Sequence, residues 1–139
     1  MARRSLRSSC LVVVLATALA GCATPHGPSC HADEQPAVHV LLYFGTSRTE
    51  GVVTQDEWTA FLATSVTPRF PQGLTVWDAA GQWRTTDGKI IREVSHVLSV
   101  VHLDVAHDQQ AMVEIIAAYK ARFHQEAVLR VRSVACMSL

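Results

Sequence analysis

Charge of either sign is scarce in this chain, and it is balanced. Twelve Lys+Arg offset twelve Asp+Glu, and charged residues make up only 17% of the 139. That balance excludes the strongly basic face a nucleic-acid module needs and the high net charge of a disordered chain. Long apolar runs are nearly absent too. The longest, residues 11–20, is apolar except for Thr17 and is too short to cross a bilayer. There is no Ser-His-Asp or Cys-His arrangement, no glycine-rich phosphate loop and no paired-carboxylate motif. The sequence therefore names no nucleophile, no nucleotide cradle and no acid–base pair.

The single apolar run follows Arg3, Arg4 and Arg7 and exits through small residues. That is the order of a signal peptide: charged start, apolar middle, small-residue end. The exit, Leu19-Ala20-Gly21-Cys22, resembles the bacterial lipobox, where cleavage leaves the cysteine as a lipid-bearing N-terminus. An ordinary secretory peptide with an incidental cysteine is the alternative. The Arg3-Arg4 pair only faintly resembles a twin-arginine signal. Each buried methylene of an acyl chain contributes about 0.8 kcal/mol, so several chains anchor a small domain stably. Ala23 stands where an aspartate would resemble an inner-membrane retention signal, which points to the outer membrane, facing the periplasm.

The chain thus divides into a signal peptide (1–21), a lipidated tether (22–37) punctuated by Pro25, Gly27, Pro28 and Pro36, and one domain (38–139). Cleavage removes three of the twelve basic residues and none of the twelve acidic ones, leaving a net charge of −3. The expected partner is the membrane, reached through the anchor, with no case for nucleic acid. Cys10 leaves with the signal and Cys22 carries lipid, so Cys30 and Cys136 remain. In an oxidising compartment two such thiols usually pair. A metal group of His26, Cys30 and His31 is the alternative, but no helix fixes its geometry.

Val38 to Phe44 is rich in β-formers and reads as a strand. Thr54 and Glu57 form a capping box, and a helix follows that ends before Pro68. Leu74 to Ala79 is a second strand, turned by Ala80-Gly81 into the Gln82-Trp83-Arg84 segment. Asp87-Gly88 signals a hairpin into a long strand from Lys89 to Leu103. Asp108 is read as the cap of a second helix, with Met112, Ile115, Ile116, Tyr119 and Phe123 at helical spacing. Ala127 to Cys136 closes as a strand. The order β-α-β-β-α-β implies an α+β, ferredoxin-like domain, an antiparallel sheet with two helices on one face. In that topology the first and last strands are antiparallel neighbours, which brings Cys30 towards Cys136.

These segments resemble the bacterial family called domain of unknown function 3574. The resemblance rests on ordered blocks: Leu42-Tyr43-Phe44-Gly45, Glu57-Trp58, Thr67-Pro68-Arg69-Phe70-Pro71, Gly81-Gln82-Trp83-Arg84, Arg92-Glu93 with Ser95, Tyr119-Lys120 and Cys136. It covers about Val40 to Leu139. It implies a small exported protein, often with a lipoprotein signal, and carries no activity over. The chain departs from the pattern at Trp77 and His96, where an aliphatic residue and a lysine are expected.

Strand alternation assigns the faces. Val38, Val40, Leu42, Phe44, Leu98 and Val100 form the helix-facing set, and Leu129 and Val131 are expected to join it. The open face then gathers Tyr43, Trp77, Glu93, Ser95, Arg130 and Arg132. Tyr43, Glu93, Ser95 and Arg130 are the candidate ligand site, with Arg130 holding an anionic group and Tyr43 packing on the ligand. Salt-bridged, half-solvated strands are the bland reading of the same residues, and a homodimer surface is another. Glu93 would serve as a general base only with its pKa raised by burial. His102, Asp104 and His107 lie close in sequence but match no metal spacing. Trp58, Phe61, Tyr119 and Phe123 read as core, Trp83 as a cap on one core edge, and Arg69 as a partner for a helix carboxyl end or a ligand. No cofactor and no metal are implied. The reading is a lipid-anchored binding or interaction module, with a small cofactor-free enzyme on the open face as the alternative.

Overall fold

A computed structural model describes residues 29–139. The segments expected to be a signal peptide and a lipobox, with Cys22 and His26, lie outside those residues. The main sheet has four antiparallel strands: β1 (Gln35–Gly45), β4 (Thr75–Arg84), β5 (Ile90–His102) and β6 (Leu129–Met137), in spatial order β4-β5-β1-β6. A two-residue-per-strand hairpin, β2 (Ser47–Arg48) and β3 (Gly51–Val52), follows β1. Two helices, α1 (Gln55–Phe61) and α2 (Ala106–Phe123), complete the domain.

β1 begins at Gln35, three residues inside the segment read as tether, and pairs Gln35 with Met137 and Pro36 with Cys136. Pro36 is tolerated because pairing with β5 starts only at Val38, so its missing N–H leaves no gap in that ladder. Cys30 and Cys136 are joined, Sγ–Sγ 2.02 Å, with Cα atoms 5.5 Å apart.

The capping box is present. Glu57 N–H donates to the Thr54 hydroxyl at 3.3 Å, and the Thr54 N–H donates to Glu57 Oε2 at 2.9 Å. That N–H holds the Glu57 carboxyl below its usual pKa, and Arg48 adds to the effect. After Phe61 the helix widens into a π turn over Leu62–Val66, closed by Thr67 N–H on Leu62 O. Pro68 then ends it, having no N–H to continue the ladder. Arg69 caps this carboxyl end, donating to Ser65 O at 2.8 Å and pairing with Glu114.

Both helices bury their apolar stripes against the same sheet face. Val38, Val40, Leu42 and Phe44 of β1 meet Trp58 and Phe61 of α1 and Met112, Ile115, Tyr119 and Phe123 of α2 in one core. Aromatic rings fill its centre: Phe44 lies 4.5 Å from Tyr119 and 5.2 Å from Trp58, centroid to centroid.

The structure corrects four local expectations. Ala80-Gly81 is no turn, since β4 runs unbroken from Thr75 to Arg84. The α2 N-cap is Val105, with no side-chain cap, so Asp108 sits inside the first turn. Trp83 is exposed and does not cap the core. The faces of β6 are the reverse of those expected, because Leu42 opposes Arg130 and Val40 opposes Arg132. Both arginines therefore lie on the helix side, while Leu129 and Val131 are exposed beside Tyr43 and Leu41 on the open face. β6 is an edge strand, where arginine stems can cover helix α2 and keep their charged heads in solvent or on polar partners.

Candidate functional site

The cross-strand register builds a depression on the open face. Gly45 opposes Ser95, Ala79 opposes Ser95 on its other side, and Gly81 opposes Glu93. This small-residue floor is bordered by two aromatic residues on the same face. Tyr43 precedes Gly45 by two residues and Trp83 follows Gly81 by two, so each ring stands about 7 Å of strand from the floor. The resulting cavity is about 420 Å³, within the range of small-molecule sites.

The two glycines are there for space. A Cβ on Gly45 would lie 2.5 Å from Glu93 Oε1, and one on Gly81 would lie 2.6 Å from Ser95 Oγ. Gly45 is itself fixed from the core, since the Tyr119 hydroxyl donates to Gly45 O at 2.9 Å. Burial, and after it the negative charge of Glu93, push the Tyr119 phenol well above its usual pKa.

Glu93 is half-buried, and its Oε2 accepts the Ser47 N–H at 2.5 Å. Among the described residues no cation pairs with it. Arg48, which also lines the cavity, is engaged elsewhere: its Nη2 donates to both Glu57 oxygens, at 2.9 and 3.0 Å. Gln125 closes one wall by donating to Ser47 O at 2.8 Å.

Three of the four candidate ligand residues, Tyr43, Glu93 and Ser95, thus meet in one cavity. Arg130 does not. It lies across the sheet, with Nη2 donating to Gln109 Oε1 of α2 at 2.5 Å, so it cannot hold an anion there. Arg132 likewise pairs with Asp104. Sequence reasoning missed Gly45, Gly81 and Trp83 as parts of the site. The available signal was a glycine inside strand pattern, which marks close approach to a neighbour or a ligand.

His102, Asp104 and His107 form no metal-like group among the described residues. Asp104 takes Arg132 and Gln109, His102 Nδ1 lies 2.6 Å from Leu103 O, and His102 and His107 reach the two oxygens of Asp108 at 3.5 and 3.1 Å. Among the described residues the one group with metal-like spacing is Cys30, Glu34 and Cys136, and its two sulfurs are bonded to each other.

His96, one of the two departures from the family pattern, forms a second feature. His96 is buried, stacks on Trp58 with centroids 4.6 Å apart, and meets Asp78 Oδ1 through Nδ1 at 2.6 Å. Its Nε2 is buried without a partner. Ser95 and His96 are consecutive in β5 and point to opposite faces, so this pair cannot activate the Ser95 hydroxyl.

A four-stranded antiparallel sheet, helices on one side and a polar-floored cavity on the other, defines the class: a mixed α/β domain with an open sheet face. The chain belongs to the family described as Protein of unknown function (DUF3574), whose model matches residues 39–139. No curated protein matches it in sequence. Among solved structures, a phage SAM lyase in complex with S-methyl-5′-thioadenosine is similar in fold. The TM-score is 0.58 at 12% identity, covering 74% of this chain and 90% of that one. CutA from Synechococcus elongatus is also similar, with a TM-score of 0.50 at 12% identity, covering 74% of this chain and 80% of the other.

Proposed function

We propose that this protein is a lipid-anchored envelope module that binds a small molecule in the open-face cavity of a ferredoxin-like β-α-β-β-α-β domain. The carrying observation is the cavity itself: Glu93 and Ser95 pack over Gly45 and Gly81 in its floor, and Tyr43 and Trp83 line it. The strand order β6-β1-β5-β4 and two helices in one core support the ferredoxin-like plan.

The lipobox and the oxidised Cys30–Cys136 pair support export and anchoring through Cys22 at the outer membrane, facing the periplasm. The cavity lies at the Gly45 end of β1, and Cys30 precedes its Gln35 end. Eleven strand residues separate the two ends by about 34 Å. A tether before Cys30 would therefore join the domain at the end of β1 opposite the cavity.

The apolar remainder of the open face supports a second reading, self-association. Trp77, Val101 and Val131 are each more than two-fifths exposed on it. Sedimentation of the detergent-free domain distinguishes the two: a monomer with a filled cavity supports binding, a dimer insensitive to cavity variants supports association.

The binding test is thermal melting against a library of envelope metabolites. A stabilising ligand whose effect is lost in Tyr43→Ala and Trp83→Ala supports the proposal. A ligand whose stabilisation survives both variants places the site elsewhere.

A further inference from the structure

Relocating Arg130 to the helix side changes the charge of the cavity. The sequence had suggested a basic anchor for an anionic ligand, but the cavity's one uncommitted charge near the floor is the Glu93 carboxylate. Resting on the binding reading above, we propose that the ligand is a small organic cation: an amine, ammonium or sulfonium group carried on an apolar body.

Glu93 is held for this role. Its Oε2 is fixed by the Ser47 N–H, and its other oxygen packs over the bare Cα of Gly45. Gly45 is fixed in turn by the Tyr119 hydroxyl. The carboxylate is thus aimed by backbone and core and not by a countercharge. Arg48, a cation of the lining, has its charge offset by Glu57, whose two oxygens both accept from Nη2, while its Nε is buried without a partner. Glu126, at the edge of the cavity, adds a second negative charge.

The flanking rings suit the same ligand. The carboxylate lies between Trp83, two residues beyond its cross-strand partner Gly81, and Tyr43, two residues before Gly45. Aromatic faces attract cations, most strongly where solvent is partly excluded. A group bound over the floor therefore meets one full negative charge in a cavity lined by two aromatic side chains. A neutral ligand covering Glu93 would strip water from an unpaired carboxylate, which is costly. An anion would face Glu93 directly. A cation alone converts the charge into affinity.

The test uses three probes of matched size on the mature protein: phenethylamine, 2-phenylethanol and phenylacetate, with dissociation constants measured by ligand-observed NMR. The expected order has the amine binding at least tenfold tighter than the alcohol, with the carboxylate weakest. Glu93→Gln keeps the shape and the acceptor for Ser47, and is expected to remove about tenfold from amine affinity while leaving alcohol affinity unchanged. Gly45→Ala keeps the charge but displaces the carboxylate, and is expected to weaken the amine as well. The melting temperature of each variant reports whether it is folded. Equal affinity for amine and alcohol, tighter binding of phenylacetate, or an amine affinity untouched by Glu93→Gln overturns the cation assignment and leaves the cavity reading standing. Absence of binding by all three probes, or binding that survives Tyr43→Ala and Trp83→Ala, overturns both.

Discussion

Removing the Cys30–Cys136 bridge tests the fold at its widest loop. The two cysteines are 106 residues apart in sequence, so the bridge encloses nearly the whole domain. On the chain-entropy account, closing a loop of about 100 residues in the unfolded state is worth about 4.7 kcal/mol. Small domains are stable by only about 5–15 kcal/mol, so the bridge supplies a third or more of the total. The Cα atoms sit 5.5 Å apart, within the span a disulfide bridges without backbone movement, so Cys30→Ser with Cys136→Ser should leave the native state in place. The assay is urea unfolding followed by tryptophan fluorescence, comparing extrapolated free energies, because an unbridged unfolded chain exposes more surface and steepens the transition. The expected loss is about 3–5 kcal/mol. A loss below about 1 kcal/mol would refute the reasoning, showing that the denatured chain keeps its ends together unaided.

Arg130→Ala should leave cavity ligands bound as tightly as in wild type and cost about 1 kcal/mol of stability through its lost bond to Gln109; loss of ligand binding would return Arg130 to the site. Gly81→Ala should weaken binding by pushing the Ser95 hydroxyl from its place 2.6 Å from the new Cβ, while Ala79→Gly, outside the cavity lining, should not; thermal shift reads both. Tyr119→Phe should cost about 1 kcal/mol for the bond to Gly45 O. It should also flatten the alkaline limb. The folded phenol's pKa is raised, so its share of stability is complete below about pH 10, where the unfolded tyrosine ionises, and is lost as pH climbs above that. Chemical unfolding between pH 8 and pH 11 of both proteins checks the sign. Cys22→Ser should move the protein out of the membrane fraction and end lipid labelling; unchanged labelling would contradict the anchor.

What the sequence made legible follows a physical division. Where one face of a strand is fully buried between neighbours, alternation is strict, and Val38, Val40, Leu42 and Phe44 could be assigned to the core from their period alone. The Thr54–Glu57 box was legible because it is a local arrangement completed within three residues. β6 was misread because hydrophobicity stops identifying the inner face at a sheet edge. Leu129 and Val131 are exposed there, and the inner positions belong to arginines whose ends reach Gln109 and Asp104. That one inversion moved Arg130 into the expected site and reversed the charge assigned to it. Gly81 was misread for a different reason: Ala-Gly is turn chemistry by composition, and only pairing with Glu93 shows that the glycine makes room inside a strand.

The two ends of β1 are held by different means, and this bears on how an anchored module could work. At the Gln35 end the strand pairs with an edge strand, and the covalent bridge to Cys136 secures that pairing where a tether would load it. At the Gly45 end no covalent link exists among the described residues. The chain there is fixed by packing of Phe44 against Trp58 and Tyr119, and by the Tyr119 bond to the Gly45 carbonyl. Packing of this kind tolerates small rearrangement of a cavity wall, whereas the bridge fixes the opposite end of the strand covalently. Tyr119 thus serves two neighbours at once: its ring completes the aromatic core, and its hydroxyl sets the carbonyl of the glycine on which Glu93 rests. The cavity's charge is positioned from the core outward, through a tyrosine late in the chain whose hydroxyl fixes the carbonyl of Gly45.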